Sequence, residues 1–323
     1  MRMSLEKLRE FATAYVDAQK QAGAWTESRD NLYKALDKIG LMITLNGRYE
    51  DKLPELDSND LPFGKDIEEY FLDLTLPQDF DFENAGENAL KPYLPSVGEV
   101  SYSRTLGRKV IGTTVAYNNV ERAAINAEAA GDMIANISAK LASSYKMYTF
   151  ACKKQLLGNL ATKAESAGLS ESVGVISDTP TGEAFIKKVK TDVEGAMFAN
   201  VNCIGNNGLS DDKKHVIGGA EASDLVLYIK KGVMPVIEVD VEAAAYNGTK
   251  VALPVKIKVV DDFGSNTNVT AMLVDTRGVK LHRGYHAVRT QENAYGDFTN
   301  IFDHSEHTGF ISKYTFVKVY TAA

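Results

Sequence analysis

The sequence predicts an α+β fold: an N-terminal helical arm, a long extended β-hairpin, one long spine helix and a mixed α/β domain behind it. Three observations predict it. A polar ribbon over residues 62–117 is acidic in its outgoing part and basic on its return. An apolar stripe of period three to four follows without a break. The C-terminal half then alternates helical patterns with runs of β-branched and aromatic residues.

The arm comes first. Residues 4–22 set Leu5, Leu8, Ala12, Tyr15 and Val16 at helical spacing, and Gly23 ends the pattern. Thr26 is placed to cap a second helix through Leu32, Leu36 and Ile39 to Gly40, with a short strand expected at 41–45. Residues 46–61 read as a polar loop with Pro54 and the run Asp57-Ser58-Asn59-Asp60. With little apolar surface of its own, 1–61 reads as an arm.

In the ribbon, nine acids and two bases lie between Phe63 and Glu99, a net of −7 that equals the formal charge of the whole chain. The return segment carries Arg104, Arg108 and Lys109 and no acid between residues 101 and 114. A two-stranded ribbon of this length has too little apolar face to offset the entropy of ordering it. Its cover is therefore expected on another copy of the chain. An arm of about 15–20 residues reaches roughly 50–65 Å at about 3.3 Å per residue, farther than a compact domain needs. The candidate inter-subunit contacts are Asp66, Glu68, Glu69 and Asp73 on the outgoing side, and Arg104, Arg108 and Lys109 on the return.

The spine follows. Asn118 and Asn119 are good N-caps for the stripe Ala130, Ile134, Ile137, Leu141, Tyr145, Tyr148, Cys152, Leu156 and Leu160. Residues 120–164 would form a helix roughly 65 Å long, with Gly131 and Gly158 as places where it bends or ends. Beyond a loop at 167–180, residues 183–199 read as an amphipathic helix. Residues 236–246 read as helical or irregular, and strands are expected at 225–229, 255–260, 270–274, 279–288 and 310–320.

Composition excludes several classes. An acidic chain with pI about 5.4 lacks the basic face that direct wrapping of nucleic acid requires. No apolar run reaches the roughly 20 residues that span a bilayer, and the start carries no signal-peptide core. Cys152 and Cys203 sit in unrelated contexts, so a reducing cytoplasm is expected in place of a disulfide framework. His282, His286, His304 and His307, interleaved with Asp303 and Glu306, raise a zinc site, but His282 and His286 fall in a strand, on one face yet well apart. No phosphate loop, nucleophile elbow or base beside a cysteine is present, and the pairs Glu68-Glu69 and Asp261-Asp262 read as solvated or partner-facing charge. No catalytic residue, metal or cofactor is assigned.

The layout resembles the tailed-phage major capsid proteins of the Hong-Kong-ninety-seven type. The run Pro62-Phe63-Gly64-Lys65-Asp66-Ile67-Glu68-Glu69-Tyr70-Phe71-Leu72-Asp73 is similar to the segment that opens the extended loop in capsid proteins of small phi-twenty-nine-like podoviruses. Leu273-Val274-Asp275-Thr276-Arg277-Gly278-Val279, Gly296-Asp297-Phe298-Thr299-Asn300 and Phe316-Val317 are similar to that group as well. The resemblance implies an extension loop at 62–117, a peripheral domain at 118–180 holding the spine helix and completed by later strands, and a mainly axial domain at 181–323. It implies a homo-oligomer of pentamers and hexamers, assembled in the host cytoplasm into a virion shell around double-stranded DNA. A scaffolding protein and a portal are its implied partners. No lysine, asparagine and glutamate match an isopeptide cross-link, and no immunoglobulin-like domain is expected after Tyr320. An encapsulin-like compartment, a metal-dependent α/β enzyme and a monomeric binding module stay open as other readings.

Overall fold

The computed structural model describes residues 50–62, 66–72, 83, 86, 90, 97–102, 105–116, 127–210, 214–235, 255–264 and 266–322. The expected helices and strand within 4–45, the caps Asn118 and Asn119, and the piece at 236–246 lie outside them. In chain order the elements are β1 (Ile67–Leu72), β2 (Val97–Tyr102), β3 (Thr105–Ala116), the spine helix α1 (Ala127–Ser166), β4 (Ser170–Ser172), α2 (Thr179–Ala196), β5 (Leu225–Lys230), β6 (Lys256–Val260), β7 (Val269–Asp275), β8 (Val279–Asn293), β9 (Phe298–Ile311) and β10 (Val317–Thr321). The strands form a ribbon β1-β2, a five-stranded sheet in the order β4-β10-β7-β5-β6, and a three-stranded sheet β3-β9-β8.

The five-stranded sheet is the core. Both of its faces are covered, so β5 and β7 are buried almost continuously, with no alternation. Val226, Tyr228, Met272, Val274, Val317 and Val319 meet Leu156, Leu157, Leu160, Ala161 and Ala164 of the spine. On the other face Leu225, Leu227, Ile229, Leu273 and Tyr320 meet Phe185, Ile186, Val189 and Val193 of α2. Helix α2 starts where Asp178 and Thr181 close a capping box, which satisfies backbone donors that a bare helix end leaves open. Each of these fully buried side chains contributes roughly 1.5–3 kcal/mol relative to exposure.

The spine runs unbroken through Gly131 and Gly158, and its 40 residues span about 60 Å. Gly158 has a packing reason: a Cβ there would stand 2.4 Å from the Phe263 carbonyl oxygen. That loop, which follows β6, is pinned further by Lys154, whose ammonium lies 2.8 Å from Asp261 and 2.9 Å from Asp262.

Four expectations are corrected. The polar loop at 46–61 is not short of core contacts where it is described: Leu53 and Leu56 are fully buried in the main cluster. The return limb of the ribbon does not run back along the outgoing limb for its whole length. Only 97–102 pairs with β1, while β3 pairs with β9 of the same chain from Arg108 to Ala116. The cover for that half therefore comes from β9, a strand the periodicity hid because its inward residues Thr299, Asp303, Ser305 and His307 are polar. The strand expected at 310–320 is in fact two, the end of β9 and β10, joined by a corner at 312–316. Finally, a register shift at Gly284 sets Arg283 opposite His307 but Tyr285 opposite Glu306. This bulge reverses the alternation, so His282 and His286 lie on opposite faces of β8.

Helix propensity alone would make Gly158→Ala stabilising by about 1 kcal/mol. The clash reverses the sign, and urea unfolding should show a loss of about 1–3 kcal/mol. Gly195→Ala in α2, where a Cβ meets nothing within 4 Å, should instead gain about 0.4–1 kcal/mol.

Candidate assembly surface at the ribbon root

Strand β1 alternates: Ile67, Glu69 and Phe71 are half-buried, and Glu68, Tyr70 and Leu72 are exposed. The inward set docks the ribbon on its own body. Phe71 stacks on Tyr314 with ring centres 4.5 Å apart, and the His215 ring meets Phe71 edge-on at 5.8 Å. Glu69 accepts a 2.7 Å hydrogen bond from the Tyr102 hydroxyl and a very short one from the Ser312 hydroxyl. Burial, and then the Glu69 carboxylate, push the Tyr102 phenol far above its ordinary range, so it stays protonated as the donor. Tyr102 also meets Phe310 edge-on at 5.0 Å. The root is thus clamped between the end of β9 and the corner before β10.

The outward set faces away from this clamp. Tyr70 is 63% and Leu72 64% exposed, flanked by exposed Glu68 and Asp66. The Tyr70 hydroxyl donates to Glu68 at 3.2 Å, and two large side chains so exposed on the outer face of a narrow ribbon point to an interface.

The three-stranded sheet separates the two basic candidates. Adjacent strand residues point to opposite faces. Arg108 lies on the outer face, 3.2 Å from Glu306 and with its guanidinium 4.4 Å above the Tyr285 ring. Lys109 is opposite Ser305 and shares the inner face, which meets the spine where Lys140 donates to Thr113 at 3.3 Å. Of the seven candidate residues, Asp66, Glu68 and Lys109 are exposed, Glu69 and Arg108 are engaged within their own chain, and Asp73 and Arg104 fall outside the described residues. Phe71, Tyr102, Tyr285, Glu306, Ser312 and Tyr314 were missed. The alternation of β1 was the one signal for any of them, and only Phe71 could have been found from it.

The four histidines do not meet at one point: His286 and His307 both lie against the Tyr145 ring, and His282 and His304 lie elsewhere. His282 bonds the Asn59 carbonyl, His286 faces Asp303, His307 meets the Tyr145 hydroxyl, and His304 lies beside Phe302 on the outer face. Among the described residues no group of His, Cys, Asp or Glu could hold a metal ion, and no helix is long and apolar enough to cross a membrane. Cys152 and Cys203 are buried, and burial pushes the Cys152 thiol up.

The corner segment 273–279 has a structural explanation. Arg277 grips the buried Asp275 carboxylate with both ends of its guanidinium, at 3.0 and 2.7 Å. Gly278 leaves room for Thr315, whose hydroxyl would lie 1.9 Å from a Cβ. In the turn between β8 and β9, Asp297 takes a positive φ of 54°.

Residues 7–320 match the family described as Phi29-like phage major capsid protein. The major capsid protein of Bacillus phage GA-1 is 24% identical over 280 residues, covering 86% of this chain and 57% of that protein. That of Bacillus phage PZA is 22% identical over 293 residues, covering 89% and 62%. The chain thus spans about three fifths of the length of these curated relatives. Among solved structures, the capsid of Staphylococcus phage Andhra superposes with a TM-score of 0.66 at 13% identity, over 87% of this chain and 85% of that one. At that identity the likeness establishes the fold, which is the Hong-Kong-ninety-seven-type capsid fold. With the match running over nearly its whole length, the chain belongs to the Phi29-like phage major capsid protein family.

Proposed function

We propose that the chain is the repeating subunit of an icosahedral phage head, set in pentamers and hexamers around packaged double-stranded DNA. The observation that carries the reading is the ribbon root: one face is clamped to its own subunit, and the other presents Tyr70 and Leu72 to solvent. Family membership supports a structural role in place of a catalytic one. In this reading the virion is the site of action, with assembly in the host cytoplasm on a scaffolding protein around a portal.

The charges act as steering. An exposed ion pair contributes about 0–1 kcal/mol, so Asp66, Glu68 and Asp73 against basic residues such as Arg104 and Lys109 of a neighbour set register, while apolar contact sets strength. Weak single contacts repeated over a shell let a misplaced subunit leave before closure. Arg108 and Glu69 serve mainly to hold the ribbon and sheet in the shape that a neighbour meets.

The test separates the two faces of one strand. Phe71→Ala should lower subunit stability by about 1–2 kcal/mol in urea unfolding, less than the roughly 3–5 kcal/mol of a fully buried phenylalanine. Tyr70→Ser with Leu72→Ser should leave stability within about 0.5 kcal/mol. Electron microscopy of the protein co-expressed with its scaffold should nevertheless show few or no closed shells for that pair. Normal shells from it would remove this face from the interface.

Lys109→Glu and Arg108→Glu should also differ. The first is expected to fold normally and assemble poorly. The second sets a carboxylate beside Glu306 and should lose stability before assembly is reached. Equal unfolding midpoints with normal particles for both would overturn the assigned roles.

A further inference from the structure

The spine helix has two chemically distinct halves. Its C-terminal half packs on the five-stranded sheet through apolar side chains, Leu156, Leu157, Leu160, Ala161 and Ala164, with Phe150 beside them. Its N-terminal half, around Leu141, Tyr145, Tyr148 and Cys152, packs on the three-stranded sheet, whose inner face along β9 is Thr299, Ile301, Asp303, Ser305 and His307. Asp303 and Ser305 are fully buried, and His307 nearly so.

This polar seam is only partly closed by hydrogen bonds. The Tyr145 hydroxyl lies 3.1 Å from His307 Nε2, and the Tyr145 ring meets the His286 ring at 5.3 Å. His286 Nε2 lies 2.9 Å from Asp303 Oδ1, close enough for an ion pair but outside a hydrogen-bonding direction. Among the described residues both Asp303 oxygens, the Ser305 hydroxyl and His307 Nδ1 have no hydrogen-bond partner. Buried polar groups left in this state favour opening of the contact.

Charge reaches the seam from every element around it. Strand β9 brings Asp303 and His307, and β8 brings Arg283 and His286. The spine brings Tyr145, Tyr148, Lys146 and Lys153; the arm brings Asp51, Asp57 and Asp60; and β3 brings Lys109. Asp51, Asp57, Asp60, Lys146, Arg283 and His307 share a cleft of about 350 Å³, which gives solvent protons a route inward.

We propose that the seam between the three-stranded sheet and the spine is an acid-operated latch. Proton uptake within it frees the sheet, and the ribbon that leads into β3, while the apolar half of the spine stays docked. The direction follows from His307. Burial, and then the charges of Arg283, His286 and Lys153, hold its imidazole down from about 6.5 to about 4, so the closed seam refuses a proton that the open one accepts. Closure is therefore fully favoured above about pH 6.5 and weakens as pH falls toward about 4. For one proton, the opening equilibrium rises about tenfold per pH unit across that window.

Hydrogen exchange on the purified, unassembled full chain tests this independently of shell formation. Exchange is followed by mass spectrometry from neutral pH down to about 4.5 and corrected for intrinsic rate. Protection at 141–152, 283–290 and 299–307 should fall about tenfold per pH unit below about pH 6.5, while β5 and β7 hold theirs. His307→Phe should flatten the response, and His282→Gln, on the opposite face of β8, should keep it. An equal acid response in β5 and β7, or an unchanged one in His307→Phe, would overturn the latch. Should that variant not fold, exchange at the imidazole C2 position of the unmodified chain decides. Titration of His307 near 4 supports the latch, and titration near 6.5 overturns it.

Discussion

The buried ammonium of Lys153 is the constraint on which the arrangement of arm, spine and sheets depends. The side chain is fully buried on the spine, and a lone ammonium there would cost far more than any single contact returns. Its three donors meet three oxygens: the Leu53 carbonyl at 2.8 Å, Asp57 at 2.8 Å, and Asp51 at still closer range. Burial raises the Asp51 carboxyl, but bonds from Lys153 and the Leu53 backbone N–H outweigh it and hold it below its ordinary value. Satisfying one lysine thus fixes the path of residues 51–57, which in turn drops Leu53 and Leu56 into the core. The chain next runs beside β8, where Arg283 bonds Asp60 and the Leu281 carbonyl accepts from Ser58. The neighbouring lysine works in the opposite direction around the helix, since Lys154 holds the loop whose Phe263 carbonyl leans on Gly158.

How much of this was legible in the sequence depended on whether burial was apolar. The spine stripe, the run at 225–230 and helix α2 were readable because leucine, valine and phenylalanine mark the buried side directly. Strand β9 was not, because its inner face is built from threonine, aspartate, serine and histidine, a pattern that reads as surface. The same polar face concealed the partner of β3, so the ribbon looked more exposed than it is. Nor does any local pattern mark the bulge at Gly284, which moves His286 to the opposite face from His282 and joins it to Asp303. Glu69 was misleading in the same way, as a charge that a one-dimensional reading assigns to a partner, and nothing in the sequence marks Lys153 as buried. Family resemblance was readable from layout and short motifs, and one of those motifs, at 273–279, encodes a tight corner.

The ribbon root shows how one strand can serve two surfaces without compromise. Period-two alternation gives β1 an inner face that docks on its own subunit and an outer face that stays exposed. A rigid root matters because a long two-stranded element has little stability of its own. Aromatic stacking on Tyr314 and the Glu69 clamp set its exit direction, so less ordering cost is left for a neighbour to offset on contact. Charge on the outer face then chooses register instead of supplying strength.

The asymmetry of the spine bears on the same problem. Had both halves been lined with leucine, the helix would have fused the two sheets into one block with a single relative orientation, since close-packed apolar interfaces resist small slides. A polar half specifies neighbours through a few directional groups and leaves more than one arrangement close in energy, at some cost in stability. Under the proposed function, one sequence fills both five-fold and six-fold rings, so some freedom between the core and the three-stranded sheet is useful to it. The chemistry of β9 puts that freedom at the joint where β3 and the ribbon attach, and the apolar half of the spine withholds it from the core.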